Sequence, residues 1–361
     1  MLSLLLVAIA PPASAQDAVL DAREQEPARN WTMFGDLWVG YDRVTGLPND
    51  RADLTRVRGR ARAGVTWNFA STWEFVGAAR LAQGSDSNRD NRRNNDNERS
   101  DSIGLDQLLL RWRPGENTSV VLGKMALTLD LSPMLWDQDL RPAGIAFDHS
   151  IALGEFDRLQ LSAGFLAGQN LYGDKSRIGA LQAAWRWHEG APLRGSVLLT
   201  YLDFSDLDEL ARQGLARTNS VVGGRFVNDY RLLDLQLVGH YEVAHWPVEM
   251  RIDRVHNLGA DAARDGTRGS LTVGDRLQPH GWEFGYANQR IQRDAVVAAF
   301  NSDEWWFHSA TRGQLAWIGY GLDATWNLRL SGFQERRDGL VNYDGSASYT
   351  NRLRLDLAAR W

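Results

Sequence analysis

The chain has 361 residues, enough for two ordinary domains or one large barrel. It holds no cysteine, 34 glycines, 15 tryptophans and 10 prolines, which excludes a disulfide scaffold and a Cys-based zinc site and fits a Gly- and aromatic-rich β protein. A net charge of -5, from 40 basic and 45 acidic residues, gives no general basis for nucleic-acid binding.

Residues 1–15 carry an apolar stretch, Leu2 to Ala10, then Pro11, Pro12 and the small-residue site Ala13-Ser14-Ala15. This reads as a secretory signal peptide cut before Gln16, although a basic n-region is missing. A polar leader, 16–29, separates it from a predicted barrel over 30–361. No later run approaches the ~18 apolar residues that a membrane helix needs, but a closed barrel spans a membrane with strands.

From Trp31 onward apolar and polar residues alternate with period two, the mark of strands with one greasy and one wet face. In the first, Trp31, Met33, Leu37, Val39 and Tyr41 share a face with Gly35, and Thr32, Asp36 and Asp42 take the other; Phe34 and Trp38 blur the pattern. In the second, Val57, Gly59, Ala61, Ala63, Val65, Trp67 and Phe69 alternate with Arg56, Arg58, Arg60, Arg62, Gly64, Thr66 and Asn68. Similar segments at 72–83, 104–113, 118–126, 143–150, 157–168, 176–188, 192–204, 228–244, 247–257, 268–277, 281–292, 310–319, 324–336 and 348–361 bring the expected count to sixteen. In the last, Leu353, Leu355, Leu357, Ala359 and Trp361 alternate with a mostly charged row.

Short turns such as Phe69-Ala70-Ser71-Thr72, Pro114-Gly115-Glu116-Asn117 and Ala244-His245-Trp246-Pro247 interleave with long segments at 84–103, 127–142, 205–227, 258–267 and 293–309. Turns at one end and long loops at the other are the layout of a transmembrane antiparallel β-barrel, and an even strand count returns both termini to the turn side. Trp31, Tyr41, Trp67, Trp73, Trp112, Trp185, Trp187 and Tyr241 are candidates for two aromatic girdles at headgroup level.

Four arginines on one face of one strand repel one another at roughly 7 Å spacing, which a water-filled lumen tolerates better than a packed sandwich. By the same parity Arg80 and Arg111 point inward, so Arg56, Arg58, Arg60, Arg62, Arg80 and Arg111 are the candidate pore lining. The connection Leu127 to Pro142, after the fifth strand, mixes Leu131, Met134, Leu135 and Trp136 with Asp130, Asp137, Asp139 and Arg141. Folded into the lumen, it would set carboxylates against the arginines as a constriction, selecting ions by field rather than by fit. The other reading is that nearby lumenal carboxylates neutralise the arginines, which then only stiffen the wall.

The stretch Trp136-Asp137-Gln138-Asp139-Leu140-Arg141-Pro142-Ala143-Gly144 resembles the W-D-x-D-L-x-P-x-G segment of the bacterial putative-porin family. Gly281-Trp282-Glu283-Phe284-Gly285-Tyr286, Arg293-Asp294-Ala295-Val296-Val297-Ala298-Ala299-Phe300, Ser302-Asp303 and Gly319-Tyr320-Gly321-Leu322 are similar to its late strands and loop, and Gly84-Ser85-Asp86 to a Gly-Ser-Asp that it carries. The resemblance implies a sixteen-stranded porin of the Gram-negative outer membrane, with lipid and lipopolysaccharide around it and small hydrophilic solutes and ions diffusing passively through it. It also implies a loop after strand five that narrows the channel, and often a homotrimer. Ala359, where such closing strands often carry an aromatic, and Trp361, where Phe is commoner, depart from the pattern.

An enzyme would need a nucleophile, a base and an orienting group at one spot. His240, near Asp234 and Glu242 by parity, is the best base, but no nucleophile accompanies it. The seven histidines (His149, His188, His240, His245, His256, His280 and His308) show no ligand pair on one strand, so no metal or cofactor is implied. The better rival is a non-conducting barrel acting as adhesin or anchor, with Arg89, Arg92, Arg93, Asp96, Glu98 and Arg99 meeting a partner or lipopolysaccharide phosphates.

Overall fold

The computed structural model describes residues 30–49, 51–85, 96–97, 102–339 and 348–361. The proposed signal peptide and leader, Asp86, and Arg89, Arg92, Arg93, Glu98 and Arg99 lie outside the described residues.

Sixteen strands close into one antiparallel barrel. They are β1 (Trp31–Thr45), β2 (Leu54–Ala70), β3 (Trp73–Gly84), β4 (Ser102–Gly115), β5 (Thr118–Lys124), β6 (Ala143–Ala152), β7 (Arg158–Ala167) and β8 (Arg177–Trp187). The second half comprises β9 (Arg194–Ser205), β10 (Tyr230–Val243), β11 (Trp246–Asn257), β12 (Asp265–Gly274), β13 (Trp282–Ile291), β14 (Thr311–Gly321), β15 (Trp326–Arg337) and β16 (Thr350–Arg360). Every segment with period-two alternation is a strand. A short hairpin, Val221–Val222 with Arg225–Phe226, and two brief helices, Gln169–Tyr172 and Asp208–Arg212, sit in long connections where no period announced them.

Closure is made by β16 on β1, from Asp36 opposite Arg360 to Thr45 opposite Asn351. It removes the last open edge, which a membrane-spanning sheet cannot leave unpaired. Two further backbone hydrogen bonds join Gly35 and Trp361, at 3.0 and 3.2 Å.

The faces are sorted opposite to those of a soluble protein. On β16, Leu353 and Leu355 are 48% and 45% exposed on the outside, while Arg352 and Asp356 are 3% and 8% exposed on the inside. An apolar outer band around a polar interior fits lipid on the outside, since only the lumen can hydrate charges. Of the eight girdle candidates, seven lie at the short-turn end, where Trp73 stacks on Trp112 with centroids 5.9 Å apart. Tyr41 lies toward the long-loop end, so these eight form chiefly one girdle rather than two. Ala359, opposite Leu37 and Trp326 in the ladders, is buried.

The apolar core lies inside the barrel, in its connections. Met125, Leu131, Met134, Leu135 and Trp136, after β5, pack with Ala295, Val296, Val297, Ala299 and Phe300, after β13, and with Leu207, Leu210 and Leu215, after β9. The chain leaves the wall beside Gly123, at φ +133, directly opposite Gly144; a Cβ on either would lie 2.2 Å from a neighbouring carbonyl oxygen.

Candidate functional site

Strand alternation turns Arg56, Arg58, Arg60 and Arg62 inward, and each meets carboxylates. Asp42 on β1 accepts from Arg56 Nε at 3.1 Å, Arg58 Nη2 at 3.2 Å and Arg352 Nε and Nη2 at 2.8 Å. Asp96 pairs with Arg56 and Arg58, and Asp139 with Arg60 and Arg62. Asp36 lies 3.7 Å from Arg60, and Asp106 lies 3.6 Å from Arg62 and 3.5 Å from Arg141. Asp106 owes its place to a β-bulge opposite Ala78 and Ala79, which leaves Leu105 outside and turns the next side chain inward.

Trp38, which blurred the alternation of β1, is a lumenal aromatic. Its ring lies within 5.5, 5.9 and 5.1 Å of the guanidinium carbons of Arg58, Arg60 and Arg354, and its indole N–H donates to Asp356 at 2.8 Å. Phe34, the other exception, packs against the inner core.

The remaining expected arginines separate. Arg80 stands opposite Arg62 in the β2–β3 ladder and lines a cavity of about 260 Å³ with Asp106, Lys124, Asp139 and Arg141. Arg111 lies toward the short-turn end and is held by Glu74, which also accepts from Arg113 at 2.9 Å.

The three loop aspartates go to different places. Asp139 faces Arg60 and Arg62; burial alone would raise its carboxyl, but those guanidiniums hold it well below the usual carboxylate range. Asp137 is buried and accepts from Asn97 Nδ2 at 2.8 Å; burial first, then Asp303 and Asp139, push its carboxyl well up. Asp130 contacts the opposite wall, where its carboxylate lies 3.4 Å from Arg251 and its carbonyl accepts from Gln182 at 2.9 Å and Gln236 at 3.1 Å. The segment therefore touches β8, β10 and β11 at Asp130 and β2 at Asp139. Arg141 contributes no bare charge to it, being paired with Asp106 and donating to the Gln138 and Leu140 carbonyls.

The connection after β13, expected only as a long loop, turns out to pack inside the barrel. Ala295 to Phe300 are fully or almost fully buried, Phe300 stacks on Trp136, and Asp137 N–H donates to the Phe300 carbonyl at 2.7 Å. Asp294 accepts from Ser220 N–H and Oγ, Asn228 and Tyr230, tying this connection to the one after β9. Glu335 accepts the backbone N–H groups of Trp306 and Phe307 at 2.7 and 3.0 Å. The available signal was composition: Ala295-Val296-Val297-Ala298-Ala299-Phe300 and Trp305-Trp306-Phe307 are too apolar for a solvated loop.

A second cavity, of about 330 Å³, is lined by Asp36, Trp38, Arg60, Arg329, Arg354 and Asp356 among others. Among the described residues, Asp139 alone lines both cavities. His240 lies 3.6 Å from Glu249 and no nucleophile joins them among the described contacts. Among the described residues no three His, Asp or Glu side chains are grouped to hold a metal.

No family model matches the chain, and no curated protein matches it by sequence. Solved structures match it by shape. OprB of Pseudomonas putida aligns over 96% of each chain, with TM-score 0.62 and 12% identity. The outer membrane channel DcaP of Acinetobacter baumannii aligns over 92% of this chain and 97% of its own, with TM-score 0.52 and 12% identity. A variant of the Rh. blastica porin aligns over 92% of this chain and 100% of its own, with TM-score 0.52 and 10% identity. The fold is thus that of the sixteen-stranded barrels.

Proposed function

We propose that the chain is an outer-membrane porin of a Gram-negative bacterium, a water-filled channel through which small hydrophilic solutes and ions diffuse passively. The observation that carries this reading is a pair of polar cavities, both lined by Asp139 beside the β2 arginines, inside a closed barrel with an apolar exterior. DcaP, called an outer membrane channel, and the Rh. blastica porin support it through the shared fold.

The connection after β5 narrows the passage at Asp139. There a solute passes beside the ion pairs that Asp139 makes with Arg60 and Arg62, in a space too tight for bulk screening. The field of these paired charges orients a dipole across the path, and the β2 arginines are the groups that attract anions there. Residues 1–15 direct export, and the mature barrel sits in lipid and lipopolysaccharide as a homotrimer. An adhesin or anchor would have no use for cavities lined from both sides by charge. The reading includes no catalysis.

Purified protein in a planar bilayer opens stable channels. Replacing Arg58, Arg60 and Arg62 with glutamine leaves Asp36, Asp106 and Asp139 without those counterions, and the reversal potential in a salt gradient moves toward cation selectivity. Absence of conductance would sink the porin reading, and an unchanged reversal potential the role of the arginines.

A further inference from the structure

The outer face of β13, β14 and β15 is layered from the turn end to the long-loop end. Trp282, Tyr320 and Leu328 stand opposite one another, then Phe284, Ile318 and Leu330, then Tyr286, Ala316 and Gly332. Above these comes a row of amides, Asn288, Gln314, Gln334 and Asn351. The Tyr286 hydroxyl donates into it, to Gln314 at 3.1 Å; Gln314 donates to Gln334 at 3.1 Å, and Gln334 to Asn351 at 3.4 Å. The next row is Arg290, Arg312 and Arg336, each directly opposite the next and turned away from the lumen.

Like charges in directly opposite positions, with Cβ atoms about 4.5–5.5 Å apart, destabilise a sheet. Among the described residues Arg290 and Arg336 have no carboxylate partner, and Arg312 has Asp338, at 3.7 Å. Beyond Thr267 the row continues to Arg254, which lies 3.9 Å from Asp265. Four guanidiniums thus stand against two carboxylates. Farther round the same end the chain supplies its own counter-charge: Asp203 on β9 is opposite Arg231 on β10, and Arg177 lies 3.7 Å from Asp206. On β13 to β15 it does not.

The level of the row says where the missing charge comes from. Arg290 is eight residues along the strand from Trp282, and Arg312 eight from Tyr320. That is about 27 Å along the strand, or about 21 Å along the barrel axis at a tilt of about 40°. The apolar band of such a barrel is about 25 Å tall, so with the turn-end aromatics at one headgroup level, guanidiniums on their long stems reach the other. Long loops face outward in an outer membrane, which places the row among the headgroups of the outer leaflet.

We propose, resting on the membrane placement in the porin reading but not on conduction, that Arg290, Arg312 and Arg336 bind a phosphate group of lipopolysaccharide and that the amide row beneath them meets the polar linkages of its acyl chains. Guanidinium takes phosphate through two parallel N–H···O bonds, and a phosphate set between opposed arginines replaces their repulsion with attraction. A phosphate monoester carries roughly −1.5 to −2 charges, which offsets what the two carboxylates leave over.

The test is native mass spectrometry of the full chain in detergent, titrated with deep-rough lipopolysaccharide, with the same lipid after enzymatic removal of its phosphates, and with inorganic phosphate as competitor. Wild type binds the phosphorylated lipid at least about tenfold more tightly than the dephosphorylated one, Arg290→Gln, Arg312→Gln and Arg336→Gln together abolish that preference, and lysine at the same three positions restores most of it. Equal affinity of the wild type for the two lipids would overturn the site, and this comparison decides even where the glutamine variant fails to fold. A preference that survives in the folded glutamine variant would overturn it as well. Displacement of the lipid by equimolar inorganic phosphate would make this a site for a free anion, and an oligomer lost in the glutamine variant with lipid affinity intact would assign the face to a second copy; either result overturns the proposal. A wild type that binds the phosphorylated lipid through this row yet opens no channels in a bilayer would uphold the site and remove the porin reading.

Discussion

The indole of Trp136 stacks on the ring of Phe300, centroids 5.6 Å apart and planes 5° from parallel, joining two connections 164 residues apart in the chain. Tyr172 and Phe204 close on the same ring, at 5.7 and 5.4 Å, so Phe300 is the point where three connections and the wall meet. Neither connection has a regular hydrogen-bond ladder, so this apolar contact carries their fixed position.

Phe300→Ala leaves a cavity at that point, costing about 3–5 kcal/mol locally. The barrel strands keep their ladders while both connections loosen. The expected outcome is faster amide exchange over 125–142 and 293–310, higher and noisier single-channel conductance, and unchanged exchange in β14 to β16. Uniform loss of protection throughout the barrel would contradict it.

Asp139→Asn removes the carboxylate that Arg60 and Arg62 share. It frees positive charge beside both cavities, so anion selectivity rises, opposite in sign to the effect of neutralising the arginines. The reversal potential under a KCl gradient decides, and a shift toward cations would be fatal to the assignment.

Acid should release the connection after β13 through Glu304. Burial raises its carboxyl, but Arg329, Arg268 and Arg354 outweigh this and hold it at about 2, against an ordinary 4.5. A depressed folded-state pKa gives stability that is present above about 4.5 and disappears as pH falls through about 2. Amide exchange across 300–308 therefore accelerates between those values in the wild type. Glu304→Gln exchanges fast already at neutral pH and shows a smaller acid dependence.

Gly35 leaves room for the closing residue. A Cβ there would lie 2.5 Å from the Trp361 ring and 2.8 Å from the Arg62 carbonyl. Gly35→Val forces the indole away from the seam between β1 and β16 and costs about 1–3 kcal/mol by overpacking. Fewer chains reach the closed barrel on refolding into detergent, and Trp361→Ala in the same chain restores part of the yield. Full yield from Gly35→Val alone would show the seam tolerates the clash.

The strands were legible because a barrel wall imposes period two on every residue it holds: one face meets lipid, the other the lumen. The two exceptions on β1 were informative in themselves. Phe34 and Trp38 break the pattern because lumenal packing, not lipid, has claimed them. Asp106 was invisible, since a bulge shifts the parity on which the reading depends.

The expected confrontation of arginines with loop carboxylates survives only at Asp139. Asp130 turned to Arg251, and Asp137 was drawn into a buried cluster with Asn97. Residue type named these aspartates as candidates, but a connection without a period carries no information about which wall each will meet.

Sequence alone determined the strand count, the sorting of faces and the row of inward arginines, because these follow from local alternation. Tertiary structure decided which carboxylate neutralises which arginine and which connections fill the barrel. Asp42 reaches Arg352 across 310 residues only because β16 closes on β1. Asp139 reaches β2 because its connection is anchored by apolar packing among segments remote in the chain, and Asp96 stands there beside hydrogen bonds that tie it and Asn97 to Arg217, Asp137 and Asn301. Coulombic attraction depends on distance in space, and in a closed barrel that distance is set by closure and packing, which no local pattern encodes.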